Sequence, residues 1–206
     1  MMSLALAQPA KTPAAPPAAP AAKGAPAATP AKGAPAVPGD KAPAVKPAEP
    51  PKPPEAPAEL AAMAKNMAGT WKCTGQADMG GQMNDVKATI TFKVEPTLNK
   101  FWMQANFVGT AGKMPPFKFT SFTTYDASAG KFWRTSINGR GGHGWAVGTM
   151  TDKKVSWEGE AKWVAGDVKT RDSEEMISPK EFKVVGEASK DGGKTWSKDH
   201  EATCKK

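Results

Sequence analysis

From Gly69 almost to the C-terminus, apolar and polar residues alternate with a period of two, a pattern that suits half-buried antiparallel strands and little else. In "VKATITFKV" the apolar Val86, Ala88, Ile90, Phe92 and Val94 alternate with Lys87, Thr89, Thr91 and Lys93. In "VSWEGEAKW" Val155, Trp157, Ala161 and Trp163 alternate with Ser156, Glu158, Glu160 and Lys162. Such runs present one face to a core and the other to water. Similar runs cover Phe101–Val108, Phe117–Tyr125, Phe132–Ile137, Trp145–Met150, Val168–Ile177, Phe182–Ala188 and Thr195–Cys204. The segments between them are turn chemistry: "DASAGK", "NGRGGHG", "TDKK", "VAGD", "SPK" and "KDGGK". About ten strands with short connections predict an all-β, antiparallel up-and-down sheet. So many strands in so short a domain are expected to close into a barrel, which removes the sheet edges.

The segment before these strands has a different period. In "PAELAAMAKNMAGTW" Leu60, Met63 and Met67 recur at helical spacing, which predicts a short helix over Ala58–Met67. Upstream, 16 of the 20 prolines fall between Pro9 and Pro57, mixed with alanine, glycine and spaced lysines. That stretch holds too few bulky apolar side chains to offset its ordering entropy, so residues 8–57 read as a disordered, semi-stiff tether. Fully extended at about 3.1 Å per residue, it would reach on the order of 150 Å. At the start, residues 1–7 end in Ala5-Leu6-Ala7, which resembles the small-x-small end of a secretory signal. Export to the periplasm or the exterior is therefore expected. No apolar run approaches the roughly 20 residues of a membrane span.

All seven tryptophans and all eight phenylalanines lie in residues 58–206, which form one domain with material for a single core. The net charge of +8 comprises six lysines against three acids in the tether and 22 basic against 17 acidic residues in the domain. The domain lysines are scattered, which suits a solvated surface, with loose attraction to anionic envelope polymers as the alternative. No basic-aromatic module for nucleic acid is present.

"GTW" at Gly69–Trp71, following a short helix, is similar to the Gly-x-Trp signature of lipocalin-like barrels. With "YD" at Tyr125–Asp126, "GKFW" at Gly130–Trp133, the later "WEGEA", Arg171 and a closing "DGGKTW…CKK", the domain resembles the bacterial family called domain of unknown function 1579. Cys204 departs from the family, which often has an aromatic residue at that point. The resemblance implies a lipocalin-like (calycin-like) barrel over about residues 58–206 and no established chemistry.

In a closed up-and-down barrel the first and last strands are neighbours. Cys73 on the first and Cys204 on the last could then come within disulfide reach, which an exported domain favours over two free thiols. "SKDGGKTW" (Ser189–Trp196) looks like the Asp-box of sialidase propellers, but it occurs once and the domain is too short for a propeller. It reads instead as a turn fastener, with Asp191 accepting backbone hydrogen bonds, Gly192 and Gly193 supplying positive φ and Trp196 packing back across the hairpin.

Candidates for chemistry are few. His143 lies in a glycine-rich hairpin that feeds a strand and not the helix N-terminus a phosphate loop would need. On a regular strand Trp196, Lys198, His200, Ala202 and Cys204 share a face, which would aim His200 into the lumen. Some small haem-binding barrels resemble this layout, so haem ligation by His200 is an alternative to a partly exposed strand histidine. Met79 and Met83 could attract copper(I) but fit loop or packing roles better, and two distant histidines leave no metal site. "DVKTRDSEEMIS" is polar on both faces, so either Thr170, Asp172 and Glu174 or Arg171, Ser173 and Glu175 must point inward. An Arg171–Glu175 pair could lock the barrel, or Arg171 could orient a ligand carboxylate. Glu174 and Glu175, as strand neighbours, face opposite sides and cannot form a catalytic acid pair.

These readings favour a non-catalytic, exported module that binds a small, at least partly apolar ligand as a monomer. Trp71, Trp133, Trp157 and Trp163, with Arg171 and His200, are the candidate lining. The alternative is a structural protein of the cell envelope with a filled barrel.

Overall fold

The computed structural model describes residues 52, 54–163 and 166–206. The expected signal remnant lies outside the described residues. So does the tether, apart from residues 52 and 54–57, which belong to no helix or strand.

One helix, α1 (Ala58–Met67), precedes ten strands: β1 (Gly69–Asp78), β2 (Met83–Val94), β3 (Met103–Ala111), β4 (Phe117–Asp126), β5 (Lys131–Asn138), β6 (His143–Thr151), β7 (Lys154–Trp163), β8 (Gly166–Ser178), β9 (Glu181–Ser189) and β10 (Ser197–Lys205). Each strand pairs antiparallel with its sequence neighbour, and β1 pairs with β10 to close the barrel. At that seam Cys73 stands directly opposite Cys204, and the two form a disulfide across 131 residues of chain. The bridge also indicates an oxidising compartment. Among the described residues no helix is long and apolar enough to cross a membrane.

The helix begins and ends where the 3.6-residue period says it should. It buries Leu60, Met63, Ala64 and Met67. These side chains join Trp71, Phe92, Met103, Phe132 and Phe182 in one cluster, so the helix plugs that end of the barrel. Its C-terminus is tied to the barrel, because the Trp71 indole N–H donates to the Met67 carbonyl at 2.7 Å. Lys206 donates from Nζ to the Asn66 carbonyl at 3.3 Å and sits 4.6 Å from the Trp71 ring centroid. Both chain ends of the domain thus clamp the same tryptophan, which has no exposed surface.

The other half of the barrel is built differently. There the inward-facing Val86, Phe107, Phe119, Thr170, Asp172 and His200 are only partly buried, so solvent reaches the lumen from the end away from the helix.

The β9–β10 turn is held as its residues predict. Asp191 accepts from the backbone N–H of Lys194 and Thr195 at 3.0 and 2.9 Å and from the Thr195 hydroxyl at 2.7 Å. Those donors hold its carboxyl far below the usual carboxylate range. Gly192 and Gly193 take φ of 78° and 98°. The Trp196 indole donates to the Gly193 carbonyl at 3.1 Å. Just beyond, the pairing shifts register: Lys198 stands opposite Glu187, but His200 stands opposite Gly186. Asp199 is the extra residue of this bulge. Lys198 therefore leaves the face expected for it and pairs outside the barrel with Glu201 at 2.8 Å. His200, Ala202 and Cys204 keep the inward phase.

Candidate functional site

The open half of the lumen contains a cluster of ionisable groups. On β8 the inward phase belongs to Thr170, Asp172 and Glu174, which leaves Arg171 and Glu175 on the outer surface. Glu174 accepts two hydrogen bonds from Arg134 on β5, at 2.7 and 3.2 Å. This bidentate pair spans β6 and β7, with both side chains under one-fifth exposed. Arg134 Cζ lies 3.8 Å from the centroid of Trp157 on β7, so the guanidinium is held by a carboxylate at its edge and an indole beneath it. The Trp157 ring needs the space above Gly148, where a Cβ would come within 2.5 Å of the ring. Trp157 is 1% exposed, and its indole N–H has no hydrogen-bond partner among the described residues.

A second row crosses the barrel wall from β8 through β9 to β10, where Asp172, Gly186 and His200 lie in register. The Asp172 carboxylate and the His200 imidazole both occupy the space a side chain at residue 186 would fill. Only glycine allows them to meet there. Burial pushes the Asp172 carboxyl up to about 6, with Glu174 and Asp199 acting in the same sense and His200 and Arg134 opposing. Burial alone would lower His200. The hydrogen bond from its Nδ1 to Asp199, 2.9 Å long, and the charges of Asp172, Asp199 and Glu174 raise it instead.

Half-way round the barrel, on β3 and β4, the inward wall is aromatic. Phe107 stacks on Phe119 with centroids 4.4 Å apart and touches Phe117 at 5.4 Å. The open lumen thus has a phenylalanine wall facing an acid–imidazole wall.

Of the six candidates read from the sequence, Trp157 and His200 lie in this lumen, and Trp71 lies in the plugged base. Trp163 has the inward phase but stands at the open rim, 47% exposed. Two placements differ from expectation. Trp133 is on the outer surface, stacked on Trp145 with centroids 6.0 Å apart, because its neighbour Phe132 takes the inward position. Arg171 is also outside, paired with Glu187 at 2.6 Å and lying 4.3 Å over Trp196. No Arg171–Glu175 lock forms. The lock exists, but its arginine is Arg134, which was missed. Its signal was in "KFWRTSIN", where Arg134 shares the phase of Phe132. His143 opens β6 with its side chain exposed, and Met79 and Met83 lie at the β1–β2 hairpin. Among the described residues no group of three or more His, Cys, Asp or Glu could hold a metal ion.

The family of proteins of unknown function DUF1579 matches residues 56–206, the helix and every strand. The chain belongs to this family. No curated protein matches it. Among solved structures, the DUF1579 barrel is similar to Rv2717c from M. tuberculosis, with a TM-score of 0.55 at 12% identity over 74% of this chain and 99% of that one. It also aligns with the phycobiliprotein lyase CPES from Guillardia theta (TM-score 0.45, 12% identity, 71% and 92% covered). A redesigned β barrel, mFAP1, bound to DFHBI, aligns with a TM-score of 0.39 at 17% identity over 69% and 97%. The first of these likenesses supports the fold, and none of them assigns chemistry to this chain.

Proposed function

We propose that this DUF1579 barrel is a non-catalytic, exported module that binds one small, partly apolar molecule in the open half of its lumen and acts as a monomer. The observation that carries the proposal is the inward cluster of Asp172, His200 and the Arg134–Glu174 pair in a half-barrel that solvent reaches. A barrel that served only as a filled core would gain nothing from charged side chains there, since burying them is costly. The ligand's apolar part would meet Phe107, Phe117 and Phe119, and its polar part would meet His200 and Asp172. The disulfide and the sequence before the domain support a periplasmic or secreted location.

Haem ligation by His200 draws less support. Its acidic neighbours favour the protonated imidazole, which cannot ligate a metal. A Soret band appearing on haem addition and lost in His200→Ala would reverse that preference.

Native mass spectrometry of protein purified from its own envelope tests the proposal. A retained small molecule, lost when Phe107→Lys fills the mouth, is the expected result. An empty barrel that gains no thermal stability from any member of a broad metabolite screen would overturn it and favour the structural alternative.

A further inference from the structure

Outside the barrel, the β6–β8 face and the β9–β10 turn enclose a groove of about 460 Å³, within the size range of small-ligand sites. One wall is Trp145, 46% exposed and braced from behind by Trp133. The other is Trp196, whose ring is fixed by Arg171 at 4.3 Å and by its own hydrogen bond to Gly193. Between them the register lines up Trp145, Glu160 and Lys169 in one row and Val147, Glu158 and Arg171 in the next. A shallower depression of about 240 Å³ shares Glu158 and Arg171 with this groove and extends it toward Val185 and Glu187. The result is a trough with indole walls and a polar floor.

We infer that this trough binds a neutral oligosaccharide chain, at a site separate from the lumen. A pyranose ring has a C–H face that packs on the electron-rich face of an indole, and an edge of hydroxyls that hydrogen-bond to carboxylates and cations. The trough supplies both surfaces in alternation. Glu158 and Glu160 stand beside Lys169 and Arg171, and Glu187 of the extension already pairs with Arg171, so the trough has no excess of cations, which suits an uncharged polyol better than a polyanion. Both indoles are held before binding, so little side-chain freedom is lost on association. The extension past Arg171 favours a chain over a single sugar.

The test titrates the domain with cellohexaose, chitohexaose and maltohexaose and follows tryptophan fluorescence, with polygalacturonate as the charged comparison. Saturable binding of at least one neutral hexasaccharide is expected, weakened about tenfold or more in Trp145→Ala at unchanged melting temperature. His200→Ala, in the lumen, is expected to bind the same sugar as the parent, which separates this site from the proposed ligand site. Three results would overturn the inference: no neutral sugar binds, polygalacturonate alone binds, or light scattering shows a dimer that Trp145→Ala dissociates. The last would make this face an interface between copies of the chain.

Discussion

The two halves of this barrel use the same ten strands for opposite ends. At the helix end Trp71, Phe132, Phe182 and the apolar face of the helix pack into one buried cluster, and the Met67 carbonyl meets the Trp71 indole N–H. At the open end the inward side chains include Thr170, Asp172 and His200, only partly buried, and the last two share the space that Gly186 leaves. The closed half has the design of a stability element. The open half carries costs that packing alone does not explain, which is where function is expected to reside. Mutations should therefore separate the halves: large losses without recovery at the base, and smaller, compensable or pH-dependent changes at the mouth.

The largest effect is expected at the seam that holds the closed half. Replacing both cysteines by alanine releases a cross-link over 131 residues, worth about 5 kcal/mol in the chain-entropy account. Urea denaturation should show a lower midpoint, and an unchanged midpoint would mean that β1 and β10 stay paired without the bridge. Next comes Trp71→Ala, which empties a fully buried site and removes the cap on the Met67 carbonyl. A loss of about 3–5 kcal/mol is expected. Hydrogen exchange should then accelerate first in the helix. If exchange rises uniformly, the plug is not a separate unit.

Glu174→Gln tests the open half and should cost about 3 kcal/mol by leaving Arg134 partly buried without its partner charge. The informative variant is the double one, Arg134→Met with Glu174→Leu. Replacing both charges with apolar groups should recover most of that loss, because a buried pair is worth little more than good packing. Recovered stability combined with lost ligand retention would assign the pair to binding. Full retention would make it a lock only.

The same contrast explains what could be read in the residues before the coordinates. The closed half was legible because its signals are hydrophobic and periodic: the helix over Ala58–Met67, the alternation of β2 and β7, and cysteines on the first and last strands. The open half was less so, because its phase depends on register. "DVKTRDSEEMIS" is polar on both faces, and only its pairing with β7 decides that Asp172 points in and Arg171 out. In "GKFW" two adjacent aromatics compete for one inward position, and nothing local says that Phe132 takes it. The bulge at Asp199, which turns Lys198 outward and makes room for His200, is a shift of one residue that alternation cannot reveal. Polar lumen residues are the ones that the hydrophobic pattern places least securely.

The smallest effect, and the one most specific to the open half, is the pH dependence of Asp172. Its carboxyl titrates near 6 in the folded barrel against about 3.9 unfolded, so between these values the folded state holds the extra proton. Stability from this group is therefore greatest at low pH and falls as pH rises through 6. His200, raised by its acidic neighbours, works in the same direction, its contribution present below the unfolded histidine value and lost at higher pH. Asp172→Asn removes the first of these losses while keeping the shape. It should stabilise the barrel by about 1 kcal/mol or more at pH 8 and by much less at pH 4, measured as the difference from the parent in urea midpoints at each pH. It should also lower the titration midpoint of His200 in NMR spectra, because one of the charges favouring the imidazolium is gone. A stability difference that does not vary between pH 4 and pH 8 would mean that the Asp172 carboxyl titrates alike in the folded and unfolded chains, as a fully solvated group does. The open half would then be a wet rim, and the acid–imidazole wall would have no special chemistry.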